Sequence, residues 1–126
     1  MTLVQHHDLK SRTQEFALRI IRMSQKLPRN REPDVIARQV LRSATSMAAN
    51  YRAAGRGRSK PEFIAKLSMV IEEADETIFW LEMLSKAGIV RATRLEALIN
   101  EANQLMAIFG ASWRTAKQNG NPKKGV

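Results

Sequence analysis

The chain has no cysteine, which excludes disulfides, thiolate metal sites and cysteine nucleophiles and suits a reducing cytoplasm. Its two histidines, His6 and His7, are adjacent near the N-terminus. Neighbours in sequence do not converge on one ligand in a helix, and no third metal ligand stands close to them, so they read as inert. A di-metal carboxylate bundle needs Glu-x-x-His pairs on inward faces. The acids Glu72, Glu73, Asp75 and Glu76 have no histidine after residue 7 to complete one. Ser43 and Ser46 likewise lack a histidine base. The expectation is a protein that is not an enzyme and carries no metal or cofactor.

Long apolar runs are also missing. No run of 18 or more apolar residues exists, so no membrane span is expected. Residues Met1 to Asp8 lack the basic start and apolar stretch of a signal peptide. Glycine and proline are scarce, six and four in 126 residues, and they fall at breaks: Pro28 and Pro33, the run Gly55 to Pro61, and Gly88. No segment alternates with the period of two that a strand requires. Aromatic residues are few as well, and Tyr51 falls on a core-facing position, which argues against a stacking platform for single strands. No zinc-finger, RNP or Gly-x-x-Gly clamp motif is present.

What is present is helical periodicity and positive charge. Four segments place apolar residues at spacings of three and four. The first, about 9–26, carries Thr13, Phe16, Ala17, Ile20, Ser24 and Leu27, with Asp8 as its expected N-cap and Pro28 as its stop. The second, about 33–55, opens on Pro33 and lines up Ile36, Val40, Ala44, Met47, Tyr51 and Ala54, with Gly55 or Gly57 as the expected left-handed terminator. The third, about 60–87, starts from a Ser59-x-x-Glu62 capping box and runs from Phe63 through Leu67, Val70, Ala74, Ile78 and Leu81 to Leu84. The fourth, about 93–117, shows a second box, Thr93-x-x-Glu96, and the stripe Leu95, Leu98, Ala102, Leu105, Phe109 and Trp113. Short connections between long amphipathic helices predict one all-α domain over 1–117, an antiparallel up-down-up-down four-helix bundle. Residues 118–126, with Asn, Gly, Pro and Lys, read as a disordered basic tail. Phe79, Trp80 and Met83 widen the apolar face of the third helix past what one core needs. They are the expected subunit interface of a homo-oligomer, and Phe109 and Trp113 near the end of the fourth helix extend the same expectation.

Lysine and arginine outnumber aspartate and glutamate 21 to 12, a net charge of +9, which suits RNA, DNA or an acidic protein as partner. On a wheel of about 100° per residue, Arg38, Arg42, Arg52 and Arg56 form one stripe opposite the core face of the second helix, with no acid among them. Arg58 and Lys60 extend it into the loop. The third helix is the contrast, acidic in its middle. Two uses follow: the stripe tracks a phosphate backbone with little sequence preference, or it meets the acidic third helix of a neighbouring subunit or another protein. The loop Gly55-Arg56-Gly57-Arg58-Ser59-Lys60 is neither a Walker loop nor a dinucleotide fingerprint, and no strand precedes it. It reads as a helix–helix turn, although N–H groups at the start of the third helix beside Arg58 and Lys60 suit an anion.

The block from Arg38 to Ala54, the loop Gly55 to Leu67, and the runs Glu72 to Thr77 and Trp80-Leu81-Glu82 resemble the bacterial four helix bundle proteins encoded in intervening sequences of 23S ribosomal RNA genes. The resemblance covers about residues 8–117. Many members read Asn-Ile-Ala-Glu-Gly where this chain has Asn50-Tyr51-Arg52-Ala53-Ala54, and the lost glutamate makes this helix more basic. The resemblance implies a four-helix bundle assembled as a ring-like homopentamer, with no established activity. The fold is shared with accessory proteins of diversity-generating retroelements, which implies nucleic acid or a reverse transcriptase as partners.

Overall fold

A computed structural model describes residues 3–119. It contains four helices: α1 (Leu3–Gln25), α2 (Arg31–Ala54), α3 (Lys60–Lys86) and α4 (Ala92–Asn119). Each helix packs on its neighbours in sequence, and α4 closes back on α1, so the four form an all-α bundle. The α2–α3 contact is the most extensive and the α1–α4 contact the thinnest.

Most helix ends follow from cap chemistry. Asn30, in extended backbone, accepts a hydrogen bond from the Arg31 N–H at 3.0 Å. That cap starts α2 two residues ahead of the expected Pro33. Pro33 instead sits buried in the first turn, where its missing N–H costs no hydrogen bond. The Ser59 side chain accepts from the Glu62 N–H at 3.2 Å and starts α3 as expected. The Glu62 carboxylate returns to the Arg58 N–H at 2.8 Å, one residue upstream of the usual box. The second expected box is not formed. Arg94 N–H already bonds to the Arg91 carbonyl at 2.9 Å, so α4 begins at Ala92 and Thr93 lies inside its first turn. Asp8 is not a cap either: no Gly or Pro interrupts Leu3 to Asp8, and α1 extends back to Leu3. Helix α4 continues through Asn119, while residues 120–126, the remainder of the expected tail, lie outside the described residues.

The turns divide the glycine roles differently from expectation. Gly55 ends α2 in right-handed backbone, at φ −66°. The left-handed glycine is Gly88, at φ 74°. Its N–H bonds to the Ser85 carbonyl at 3.0 Å and the Ile89 N–H to Leu84 at 3.0 Å, the paired closure that favours glycine after a helix. Gly57 serves close approach instead: a Cβ there would stand 3.2 Å from the Ala54 carbonyl oxygen and 3.4 Å from the Phe63 nitrogen.

The core is a continuous column of the expected stripes. Phe16, Ile20, Val40, Met47, Leu67, Leu81, Leu84, Leu95 and Leu105 are fully enclosed. At the end where α2 turns into α3, Tyr51 packs on Phe109 with ring centroids 5.3 Å apart. Burial pushes the Tyr51 hydroxyl up to about 12. Phe109 is therefore core, not the outward extension of an apolar face. Trp113 donates its indole N–H to Ser68 at 2.9 Å, joining α4 to α3, and Lys117 sits 5.3 Å over its ring.

Replacing Gly88 by Ala is expected to cost about 1 kcal/mol, because an L side chain is strained in left-handed backbone. Gly55→Ala, in right-handed backbone, should leave stability unchanged or raised. Urea unfolding of the two variants checks the assignment.

Candidate nucleic-acid interface

Arg38, Arg42, Arg52 and Arg56 all lie exposed, the first three on α2 and Arg56 in the turn just after it. The fold separates them into two kinds. Arg42 reaches across to α3, where its guanidinium bonds to Glu73 at 3.2 Å and also to Glu76. The expectation that no acid interrupts the stripe is thus corrected, because α3 of the same chain supplies two.

Around that contact runs a polar seam between α2 and α3. Ser46 donates to Glu73 at 3.2 Å, and Asn50 donates to the Ser46 carbonyl at 2.9 Å. Trp80 donates its indole N–H to Glu76 at 2.9 Å. One layer deeper, the fully buried Thr77 hydroxyl lies 2.8 Å from the Ser43 hydroxyl and donates to the Glu73 carbonyl at 2.8 Å. The Trp80 indole, then Arg42, hold the Glu76 carboxyl below its ordinary value, and Glu76 raises Arg42 in turn.

The other members stay available. Arg38, Arg52, Arg56, Arg58 and Lys60 are exposed and form no ion pair among the described residues. Arg38 stands apart: 14 residues separate it from Arg52, about 21 Å along the helix axis. Arg52, Arg56, Arg58 and Lys60 cluster where α2 turns into α3. Lys66, one turn beyond Glu62 on α3, shares a cleft with Arg56 and Arg58. Sequence reasoning missed Lys66. Its helical phase toward α2 was the available signal, but only the turn geometry brings it to the loop. Arg114 and Lys117 belong to the same end of the bundle, since Trp113 just before them on α4 is tied to Ser68. The acid in this corner is Glu62, engaged as the backbone acceptor for Arg58.

The α1 cations are more fully paired. Arg12 makes a bidentate bond to Glu101 of α4, at 2.6 and 2.9 Å, and Arg22 pairs with Glu15 at 3.3 Å. Hydrogen bonding to Arg12 holds the Glu101 carboxyl below its ordinary value. The His6 and His7 side chains lie outside the described residues. Among the described residues no three His, Cys, Asp or Glu side chains gather as a metal site, and no helix is long and apolar enough to cross a membrane.

The three residues assigned to a subunit interface are unequal. Phe79 is 48 % exposed, with its ring edge-on to Trp80 at 4.8 Å. Trp80 and Met83 are half-buried. The exposed apolar surface of this part of α3 therefore centres on Phe79. Beside it Glu72, Asp75 and Glu82 are exposed acids without an ion pair among the described residues.

A family model described as 23S rRNA-intervening sequence protein matches residues 5–111. Among solved structures, the chain is similar to a protein of unknown function from the S23 ribosomal protein family of Bacteroides thetaiotaomicron VPI-5482. The TM-score is 0.81 at 30% identity, covering 86% of this chain and 97% of that one. No curated protein matches the chain.

The Arg12–Glu101 pair carries a pH signature. A carboxyl held below its usual value of 4.5 contributes stability that is complete above that value and is lost as pH falls through the lowered folded one. Glu101→Gln is expected to cost about 1 kcal/mol at pH 7, for a part-exposed bidentate pair. It should also flatten the loss of stability between about pH 5 and 3. Urea midpoints across that range test both.

Proposed function

The chain belongs to the 23S rRNA-intervening sequence protein family, and on that premise we propose that it is a non-enzymatic, homo-oligomeric bundle that binds nucleic acid through the phosphate backbone. The observation that carries the reading is the unpaired cationic corner of Arg52, Arg56, Arg58 and Lys60, with Arg38 as an outlying contact on α2. Successive cations without acids between them suit a polyanion whose charges are closely spaced, and the free energy comes from counterion release. Arginine at three of the four corner positions favours paired donation to phosphate oxygens. Contacts of this kind position a backbone and carry little sequence information.

Arg42 is not among the phosphate contacts in this reading, because Glu73 and Glu76 already neutralise it. The same pairing narrows the alternative in which the stripe meets the acidic α3 of a neighbour. The acids left for a neighbour are Glu72, Asp75 and Glu82, flanking exposed Phe79. That patch is complementary in charge to the basic corner, so a head-to-tail contact between copies joins unlike surfaces. Such contacts close into rings when the rotation allows. Rings of five, as the family resemblance implies, present several basic corners to one nucleic acid and gain affinity through multivalency. A role as a scaffold beside a reverse transcriptase would use the same surfaces.

Binding to a short DNA duplex, titrated at several salt concentrations, tests the corner. Arg52→Ala with Arg56→Ala should lower the log–log salt slope by about 2 on duplex DNA, at about 0.9 per phosphate contact. Arg42→Gln should leave the slope unchanged. No binding of wild type at low salt overturns the reading. Light scattering tests assembly: Phe79→Asp should shift the particle to a smaller mass while the helix content is kept, and a wild-type monomer overturns the oligomer.

A further inference from the structure

A cleft of about 360 Å³ opens between the last turn of α2, the loop and the first turns of α3. Its volume falls at the lower end of small-ligand sites, about 300–1,000 Å³. Arg56, Arg58 and Lys66 supply cationic lining, and Ala53, Ala65 and Met69 supply an apolar wall. Gly57 contributes no side chain, and its backbone lies close to Ala54 and Phe63. Glu62 also lines the cleft, but its carboxylate is held by the Arg58 N–H. None of the three cations has an acidic partner among the described residues.

The lining therefore pairs an apolar surface with unpaired positive charge. Met69 is 44 % exposed, although a side chain of this kind gains by burial. Its thioether is polarizable and packs favourably against aromatic rings. A phosphate alone would use the cations and leave the apolar wall wet. A duplex backbone would do the same, because its bases are stacked inside. An unstacked nucleotide satisfies both halves: the base covers Met69 and the two alanines, while its phosphate meets Arg56, Arg58 or Lys66.

We propose that the α2–α3 corner cleft takes one unstacked nucleotide of a single-stranded segment, with its base on Met69. This rests on the nucleic-acid reading above and adds a preference that the arginine stripe alone does not give. It also supplies, from a methionine and two alanines, the apolar contact that the sparse aromatic residues do not.

The experiment compares two fluorescent 12-nucleotide single strands of equal length and charge, one with bases and one abasic, by anisotropy at low salt. Wild type is expected to bind the base-bearing strand about two- to tenfold more tightly, the range of a thioether–ring contact. Met69→Gln should erase that difference and leave abasic binding unchanged. Equal affinity for the two strands overturns the cleft assignment while the backbone reading stands. Failure of both strands to bind overturns both. Tighter binding of an acidic peptide with one aromatic residue assigns the cleft to a protein ligand and overturns the proposal. The strand comparison uses wild-type protein, so it decides the matter even if Met69→Gln unfolds, which a thermal melt would show.

Discussion

The placement of α2 against α3 rests on a polar seam inside an apolar contact. Ser43 and Thr77 are fully buried and 2.8 Å apart, and above them Arg42 spans Glu73 and Glu76. Interdigitated apolar side chains already resist sliding, and a buried hydroxyl pair with a bridging guanidinium adds directional contacts that favour one register. A shift by a helical turn would part Thr77 from Ser43 and Arg42 from Glu73 and Glu76, leaving each hydroxyl only its bond within its own helix. The seam lies within the most extensive contact of the bundle, α2–α3. Everything proposed for the surface follows from that register: which arginine is consumed, which remain free, and where the loop cations face.

The corner between these helices combines three devices. Ser59 and Glu62 satisfy N–H groups at the start of α3, so the turn closes without help from the loop cations. Gly57 lets the loop backbone lie against Ala54 and Phe63. Arg58 and Lys60 then stand near the positive end of the α3 dipole, which repels them but favours any anion they meet, whereas Arg52 and Arg56 stand at the end of α2, where the dipole favours cations. A positive cluster at a helix start is destabilising by itself, and a polyanion relieves it. The solved relative of the S23 family has the same bundle at 30% identity, which fixes the scaffold but says nothing of this charge arrangement.

Other parts of the outer surface have a different character. The Arg12–Glu101 and Arg22–Glu15 pairs neutralise cations on α1, and exposed Phe79 with Glu72, Asp75 and Glu82 gives α3 an acidic, apolar patch. The net charge of +9 is therefore not spread evenly. Among the described residues, the unpaired cations Arg52, Arg56, Arg58, Lys60 and Lys66 stand together where α2 turns into α3.

The sequence by itself determined the four helices, the apolar stripes and the Ser59 cap, because periodicity and local hydrogen bonding act within a few residues. It also placed Arg38, Arg52, Arg56, Arg58 and Lys60 on exposed surface. The tertiary structure alone decided that Arg42 is paired, that Phe109 faces inward against Tyr51, and that Lys66 joins the loop cations. Helical phase states which side a residue occupies but not which helix stands opposite, nor at what height. Glu73 lies 31 residues from Arg42 in sequence, and only the packing of α2 on α3 brings the two to 3.2 Å. The left-handed role passed to Gly88 rather than Gly55 or Gly57 for the same reason. Each glycine-bearing turn is locally compatible with it, and the path of the chain between packed helices selects one.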